Sequence, residues 1–458
     1  RQALGEENVR LEVKESWLGT APNVYARGRL KMKQGMDGIQ THYFYEETDQ
    51  YGALYKVTAE TRIAGESVPG LSSRKVTYVS GQGNNMRYEQ YARLADGAWS
   101  MTDASSYEYD VENRWVKRTR ANGRVYERMM TCCGPLWERD ENGVTTSYSY
   151  NTARQLVETI RSAVTDGETM ITPETITSYT RDALGKITSL RRDAGPMTTV
   201  ESREYDLLGR LIRETDILGR TTVRSYSGDG LVETVTTPAG ATLITRKSPS
   251  GTVVRRYGTG QQDILYTVEA TAEGIRTTEA VPGGEGGEPR VVTGSSTVNG
   301  FGELVRIAAA NTLNGENVRT LAYDDKGRLI REQLADMAPT LYAYDAFGNR
   351  TRAIVALEDE PTILNSRITD YAYVAESRED GIYRLVSITS YTSSGTPVLQ
   401  KQAALLSALS SVLAGKTVMT DPRGQDTVEW TEYGGGSVRL QKKTVPGVGS
   451  VALTRVVD

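Results

Sequence analysis

One phrase recurs along the chain and restricts its fold more than any other feature: Tyr-x-Tyr-Asp-x-x-Gly-Arg-Leu, with drift. The middle of the sequence holds Glu204-Tyr205-Asp206-Leu207-Leu208-Gly209-Arg210-Leu211. The phrase returns as Tyr323-Asp324-Asp325-Lys326-Gly327-Arg328-Leu329, and again as Tyr342-Ala343-Tyr344-Asp345-Ala346-Phe347-Gly348-Asn349-Arg350. Weaker copies are Tyr107-Glu108-Tyr109-Asp110, Tyr148-Ser149-Tyr150-Asn151 and Tyr179-Thr180-Arg181-Asp182-Ala183-Leu184-Gly185-Lys186. Asp345 follows Asp324 by 21 residues, so the period is about 20, with insertions.

The physics of the phrase is that of a hairpin. Alternating residues before the Asp predict a strand with Tyr on one face. The Asp carboxylate can accept a hydrogen bond from the backbone two residues on and so close a turn. Gly209, Gly327 and Gly348 supply the positive φ that a tight return needs. The Arg-Leu segment then runs back as the next strand, and a second turn follows at Asp216-Ile217-Leu218-Gly219-Arg220. Each period is two strands and two turns, and many periods make one long antiparallel meander. In Thr221 to Tyr226 neither face is strongly apolar, which predicts a single layer and not a tight sandwich. The aromatic content agrees: Tyr occurs 26 times and Phe 3 times, a choice suited to half-wet surfaces.

These residues resemble the YD/Rhs repeat family, whose members include bacterial polymorphic toxins, shell components of insecticidal toxin complexes and the animal teneurins. The resemblance implies a β-strip that spirals into a hollow shell around another part of a secreted or cell-surface protein. The clear copies run from about Tyr107 to Tyr344. Toxin-bearing members carry a core segment, Asp-Pro-x-Gly-Leu with a Gly/Asn/Tyr-rich run, before their cargo. Here the nearest match, Asp421-Pro422-Arg423-Gly424, lacks the Leu and the run and reads as one more repeat turn. No recognisable toxin follows it. The chain opens on Arg1 and ends at Asp458 in strand-like sequence, which reads as a piece of something longer.

Three regions follow. Residues 1–100 keep aromatic spacing in Tyr43-Phe44-Tyr45 and Tyr88-Glu89-Gln90-Tyr91, and are taken as divergent repeats in preference to a separate leading unit. Residues 101–357 are the repeat sheet, interrupted by a surface loop from Val281 to Pro289 that cannot be a strand. Residues 358–458 are further repeats with an insertion. There Leu405, Leu406, Leu409, Val412 and Leu413 fall at helical spacings, which predicts a short amphipathic helix over 403–414, packed on its own sheet.

Several classes of chemistry are disfavoured. A net charge of −4 offers no basic field for nucleic acid. No stretch approaches the roughly 20 apolar residues of a membrane helix. His42 is the only histidine, which argues against a histidine-based triad or a histidine-rich zinc site. The Asp residues recur periodically at turns; they lack the clustered spacing of a calcium loop and suit no dedicated glycosidase pair. No cofactor or metal is expected. Trp17, Trp99, Trp115, Trp137 and Trp430 either pack or stack on sugars.

Cys132 and Cys133 are the only cysteines, set in Thr131-Cys132-Cys133-Gly134-Pro135. On a strand their side chains would point to opposite faces and could not hold one ion together. At a turn they could close a strained vicinal disulfide, or they remain two partly buried thiols. The expectation is therefore a non-catalytic shell segment whose partners are other parts of the parent protein, with possible C-terminal cargo. The alternative is an adhesion module for glycans or a surface protein.

Overall fold

A computed structural model of the chain describes residues 12–17, 21–35, 37–166, 168–283, 289–311, 315–335, 337–357, 361–408, 413–433 and 438–456. Among them, 35 strands form one sheet, and Val164–Asp166 with Thr169–Thr172 makes a separate two-stranded hairpin. Strands pair antiparallel with their neighbours in sequence. Arg213 lies opposite Val223, and Tyr226 opposite Glu233, in one stretch of this meander. Among the described residues the strip is not closed edge to edge: Val13–Ser16 pairs only with Leu30–Gln34, and Gly449–Val456 only with Val438–Val445. Among the described residues no helix is long and apolar enough to cross a membrane, a statement that leaves β-barrels aside.

The helix expected over 403–414 is replaced by strand. Pro397–Ala408 and Leu413–Thr420 are both strands, while Leu409 and Val412 lie outside the described residues. Leucines at 405, 406 and 413 fit either period, and pairing decides. Ala403 is held opposite Leu385 on one side and Val418 on the other, with Ala404 opposite Arg384 and Thr417. Alternation then buries Ala403 and leaves Leu406 exposed. The expected loop from Val281 to Pro289 is also shorter than its sequence suggests. Val281 and Pro282 end strand Gly274–Pro282, and Pro289 opens Pro289–Val298, with Pro282 opposite Pro289 at a register shift. Proline is tolerated at such ends because the ladder is already broken there.

Buried residues occur singly along the strip, as at Val144, Ala280, Thr297 and Ala308, but those that pack into clusters lie in the early and late strands. Ala26, Tyr45, Tyr55 and Val79 form one cluster, and Tyr383, Ala403 and Val418 another. A third joins the ends: Leu94 packs against Ala375 and Ile382. Around it the chain returns upon itself. Ala95 N donates to Ala375 O at 3.2 Å, and a Cβ at Gly70 would lie 3.8 Å from Val374 Cα. One at Gly38 would lie 3.5 Å from Lys326 Nζ, and Pro397–Ala408 touches Trp99–Tyr109. The turns at one edge of the early strands thus meet late strands in the same order, as successive windings of a spiral do.

Candidate functional site

The repeat phrase builds a turn whose parts are interlocked. Asp206 Oδ1 accepts from Leu208 N at 3.0 Å and from Arg210 N at 2.8 Å, while Arg210 Nε donates to Oδ2 at 2.8 Å. Gly209 N donates back to Asp206 O at 2.8 Å, and Gly209 holds φ +73°. The Arg210 backbone N–H, the first of these contacts in weight, holds the Asp206 carboxyl below its ordinary range, with the Arg210 guanidinium assisting. Asp324 repeats the arrangement with Lys326 N at 3.0 Å, Arg328 N at 2.8 Å and Arg328 Nε at 2.7 Å. Burial there opposes ionisation, yet the bonds from Arg328 still leave its pKa lowered. Asp345 accepts from Phe347 N and Asn349 N at 2.9 Å each, and Gly327 and Gly348 both hold φ +80°. Asn113 and Arg154 take the glycine position, at φ 67° and 62°, in the weaker copies.

The tyrosines do something the sequence did not disclose. Each reaches across its neighbour to the turn before. Tyr226 Oη donates to Leu211 O at 3.0 Å, and its ring lies 4.3 Å from the Arg210 guanidinium carbon. Tyr344 Oη donates to Leu329 O at 2.7 Å beneath Arg328, Tyr323 to Leu304 O at 3.0 Å, and Tyr205 to Ile187 O at 3.2 Å. The same contact appears within residues 1–100, where Tyr45 Oη donates to Leu30 O at 3.0 Å. Where Arg or Lys precedes that carbonyl, as at Arg29, Lys186, Arg210 and Arg328, the two hairpins form a staple: a cation over a ring, and the ring's hydroxyl on the carbonyl just past the cation. At Tyr323, Glu303 holds that place and the hydroxyl bond stands without it. A recurring Tyr fifteen or so residues after Arg-Leu is the signal that would have found it.

Asp421 Oδ1 accepts from Arg423 N and Gln425 N at 2.9 Å each, and strand Asp426–Tyr433 follows. That segment is a repeat turn in geometry. Cys132 and Cys133 occupy a turn between Val125–Met130 and Pro135–Arg139, as free thiols with sulfurs 2.8 Å apart.

A cavity of about 840 Å³ opens where the windings overlap, between early strands carrying Arg74 and Asp103 and late ones carrying Leu405 and Leu413. Its arginines and carboxylates are already partnered, and Lys75 Nζ lies 5.4 Å from the centre of the Tyr88 ring. Arg74 meets Glu60 at 2.8 Å, Arg120 meets Glu141 at 2.5 Å, and Asp103 accepts from Tyr88 Oη at 2.9 Å. His42 Nε2 faces Gln40 Oε1 at 3.0 Å, and burial, then Arg62, lowers its pKa. Among the described residues, no group of three or more His, Cys, Asp or Glu gathers as a metal would require. The indoles of Trp17, Trp99, Trp115 and Trp137 each lie under a Lys or Arg, closest for Arg128 over Trp115 at 3.6 Å. Trp430 Nε1 donates to Glu432 at 2.8 Å. A ring face covered by a cation is not offered to a sugar.

Comparison with known proteins gives three results. The model of the RHS repeat family matches residues 205–242, which span the turns at Asp206 and Asp216. No curated protein matches the chain. Among solved structures, the crystal structure of TcdB2-TccC3 aligns at 12% identity over 94% of this chain and 28% of that one, with a TM-score of 0.38. The Photorhabdus luminescens Tc holotoxin pore aligns at 12% identity over 94% and 27%, with a TM-score of 0.27. The chain spans less than a third of the length of either.

Proposed function

We propose, from the premise that this is a YD/RHS-repeat protein, that the chain is a wall segment of a larger secreted or cell-surface bacterial protein. In this reading it has no catalytic role and encloses or displays another part of the same parent. The observation that carries the reading is the overlap of windings. A strip that returns to pack Ala375 and Ile382 on Leu94, in register with the contacts at Gly38 and Gly70, curves steadily in one sense and bounds a space. The partnered charges of the cavity and the covered indoles support a structural wall over a glycan-binding face.

The test is protection. The segments of the parent that flank residues 1 and 458 are co-expressed with the chain, and their digestion is followed with and without it. A flanking segment that becomes at least tenfold slower to digest supports enclosure. Equal digestion rates, or a scattering profile for the chain alone that fits an extended ribbon, would sink it.

A further inference from the structure

The turn at Cys132–Cys133 departs from every other turn of the phrase. Thr131 stands where Asp206 stands in its hairpin, but its N–H meets Gly134 O three residues on, where Asp206 N meets Arg210 O four residues on, so Cys132 and Cys133 alone make up a shorter tip. Thr131 N and Oγ1 both donate to Gly134 O, at 2.7 and 2.8 Å, and Cys133 N donates to Thr131 Oγ1 at 3.2 Å. Arg114 Nη1 ties the turn to the hairpin before it through Thr131 O at 2.9 Å. Tyr150 Oη, donating to Pro135 O at 3.0 Å, closes over Gly134 from the hairpin after, where a Cβ would collide with it. Gly134 holds φ +150°, open to glycine alone. The turn is thus braced on both sides in a shape that turns the two thiols toward one another, 2.8 Å apart, with Cys132 exposed. A strand would have sent them to opposite faces.

We propose that Cys132 and Cys133 form a reversible redox site that exchanges with low-molecular-weight disulfides. The Cys132 thiolate attacks one sulfur of the disulfide and expels one thiolate, leaving a mixed disulfide. The Cys133 thiolate then attacks Cys132 Sγ and expels the second. Two protein thiols and one disulfide become one vicinal disulfide and two small thiols, with the protein's two protons carried by the departing thiolates. The second step is intramolecular between groups already in contact, so it outruns capture of a second small molecule. The bond it makes is readily reversed. Consecutive Cα atoms lie about 3.8 Å apart, short of the roughly 4.4–6.8 Å that a relaxed disulfide spans. Such a bond answers to the surrounding thiol balance instead of stapling the fold.

The test uses the full chain incubated with oxidised, then reduced, glutathione, trapped with an alkylating reagent and weighed intact. The wild type is expected to lose both alkylation sites without gaining an adduct or a dimer, and to regain both on reduction. Cys133→Ser, a change at a surface turn, should stop at the glutathione adduct, with a lifetime at least about tenfold longer than any adduct of the wild type. A wild type that keeps two free thiols throughout, accumulates the adduct or cross-links between chains would overturn the proposal.

Discussion

The middle of the strip and its overlapped ends are built from the same hairpins and held by different physics. From Ser178 to Glu279 no residue is buried, although this stretch contains the matched RHS repeat. In the overlap Ala104, Ser105 and Tyr383 are each 0% exposed. The middle is a single layer, where each hairpin can draw only on its neighbours through ladder bonds, turn carboxylates and tyrosine staples. That is the nearest-neighbour regime of repeat proteins. The ends add contacts between early and late strands and packed clusters, and gain ordinary hydrophobic burial. The most regular sequence therefore marks the part with the least core. Where no core exists to forgive drift, local chemistry must be correct in every period.

The contrast is broken most directly at Tyr383, whose ring packs with Ala403 and Val418 and whose Oη donates to Asp380 at 3.0 Å. Tyr383→Ala is expected to cost about 3 kcal/mol or more in urea unfolding of the late strands. A cost no greater than that of a substitution in the middle would erase the distinction. Acid should act next, and in the middle with no packed cluster to offset it. Asp206 is held below its ordinary pKa first by the Arg210 N–H, and Asp216 first by the Arg220 side chain. A depressed folded pKa gives stability that is present above the unfolded value of about 3.9 and lost as pH falls through the folded one. Amide exchange should accordingly rise in 205–226 below about pH 4, and Asp206→Asn should flatten that response.

A smaller change sharpens the comparison. Tyr226→Phe keeps the ring under Arg210 and removes the bond to Leu211 O, at a cost of about 1 kcal/mol. Loss of exchange protection should stay within the two joined hairpins; spread into the overlapped ends would mean that the wall is not a sum of neighbours. Smallest of all, Leu207→Ser at a site 101% exposed should shift stability by no more than about 0.5 kcal/mol in thermal melts.

How much of this was legible in the sequence follows the range of each interaction. The Asp206 and Asp324 turns are contained within five residues, and the type of each residue states its part in the geometry. The staple from Tyr226 to Leu211 crosses 15 residues and two strands, so Tyr could be placed on a face without its partner being known. The overlap at Ala95 and Ala375 rests on small apolar residues with no distinguishing pattern, and the cavity beneath it was not legible at all. The misread helix has the same origin. Ala403 to Leu413 carries leucines at spacings that satisfy two periods, and only partners at Leu385 and Val418, distant or across a turn, choose between them. The tip at Thr131 left two states open for its cysteines, because adjacency alone does not say whether a turn or a strand holds them.

The backward reach of the tyrosines has a consequence for time as well as for strength. Every staple joins a hairpin to the one made just before it, so each new period can dock as soon as it exists, with short loops to close. Contacts such as Leu94 with Ala375 must wait for nearly the whole strip, and contacts of such long separation form slowly. Synthesis would therefore lay down a growing curved wall from its N-terminal side, with the lap joint sealed last. Under the proposed enclosure, the enclosed segment has that interval in which to enter.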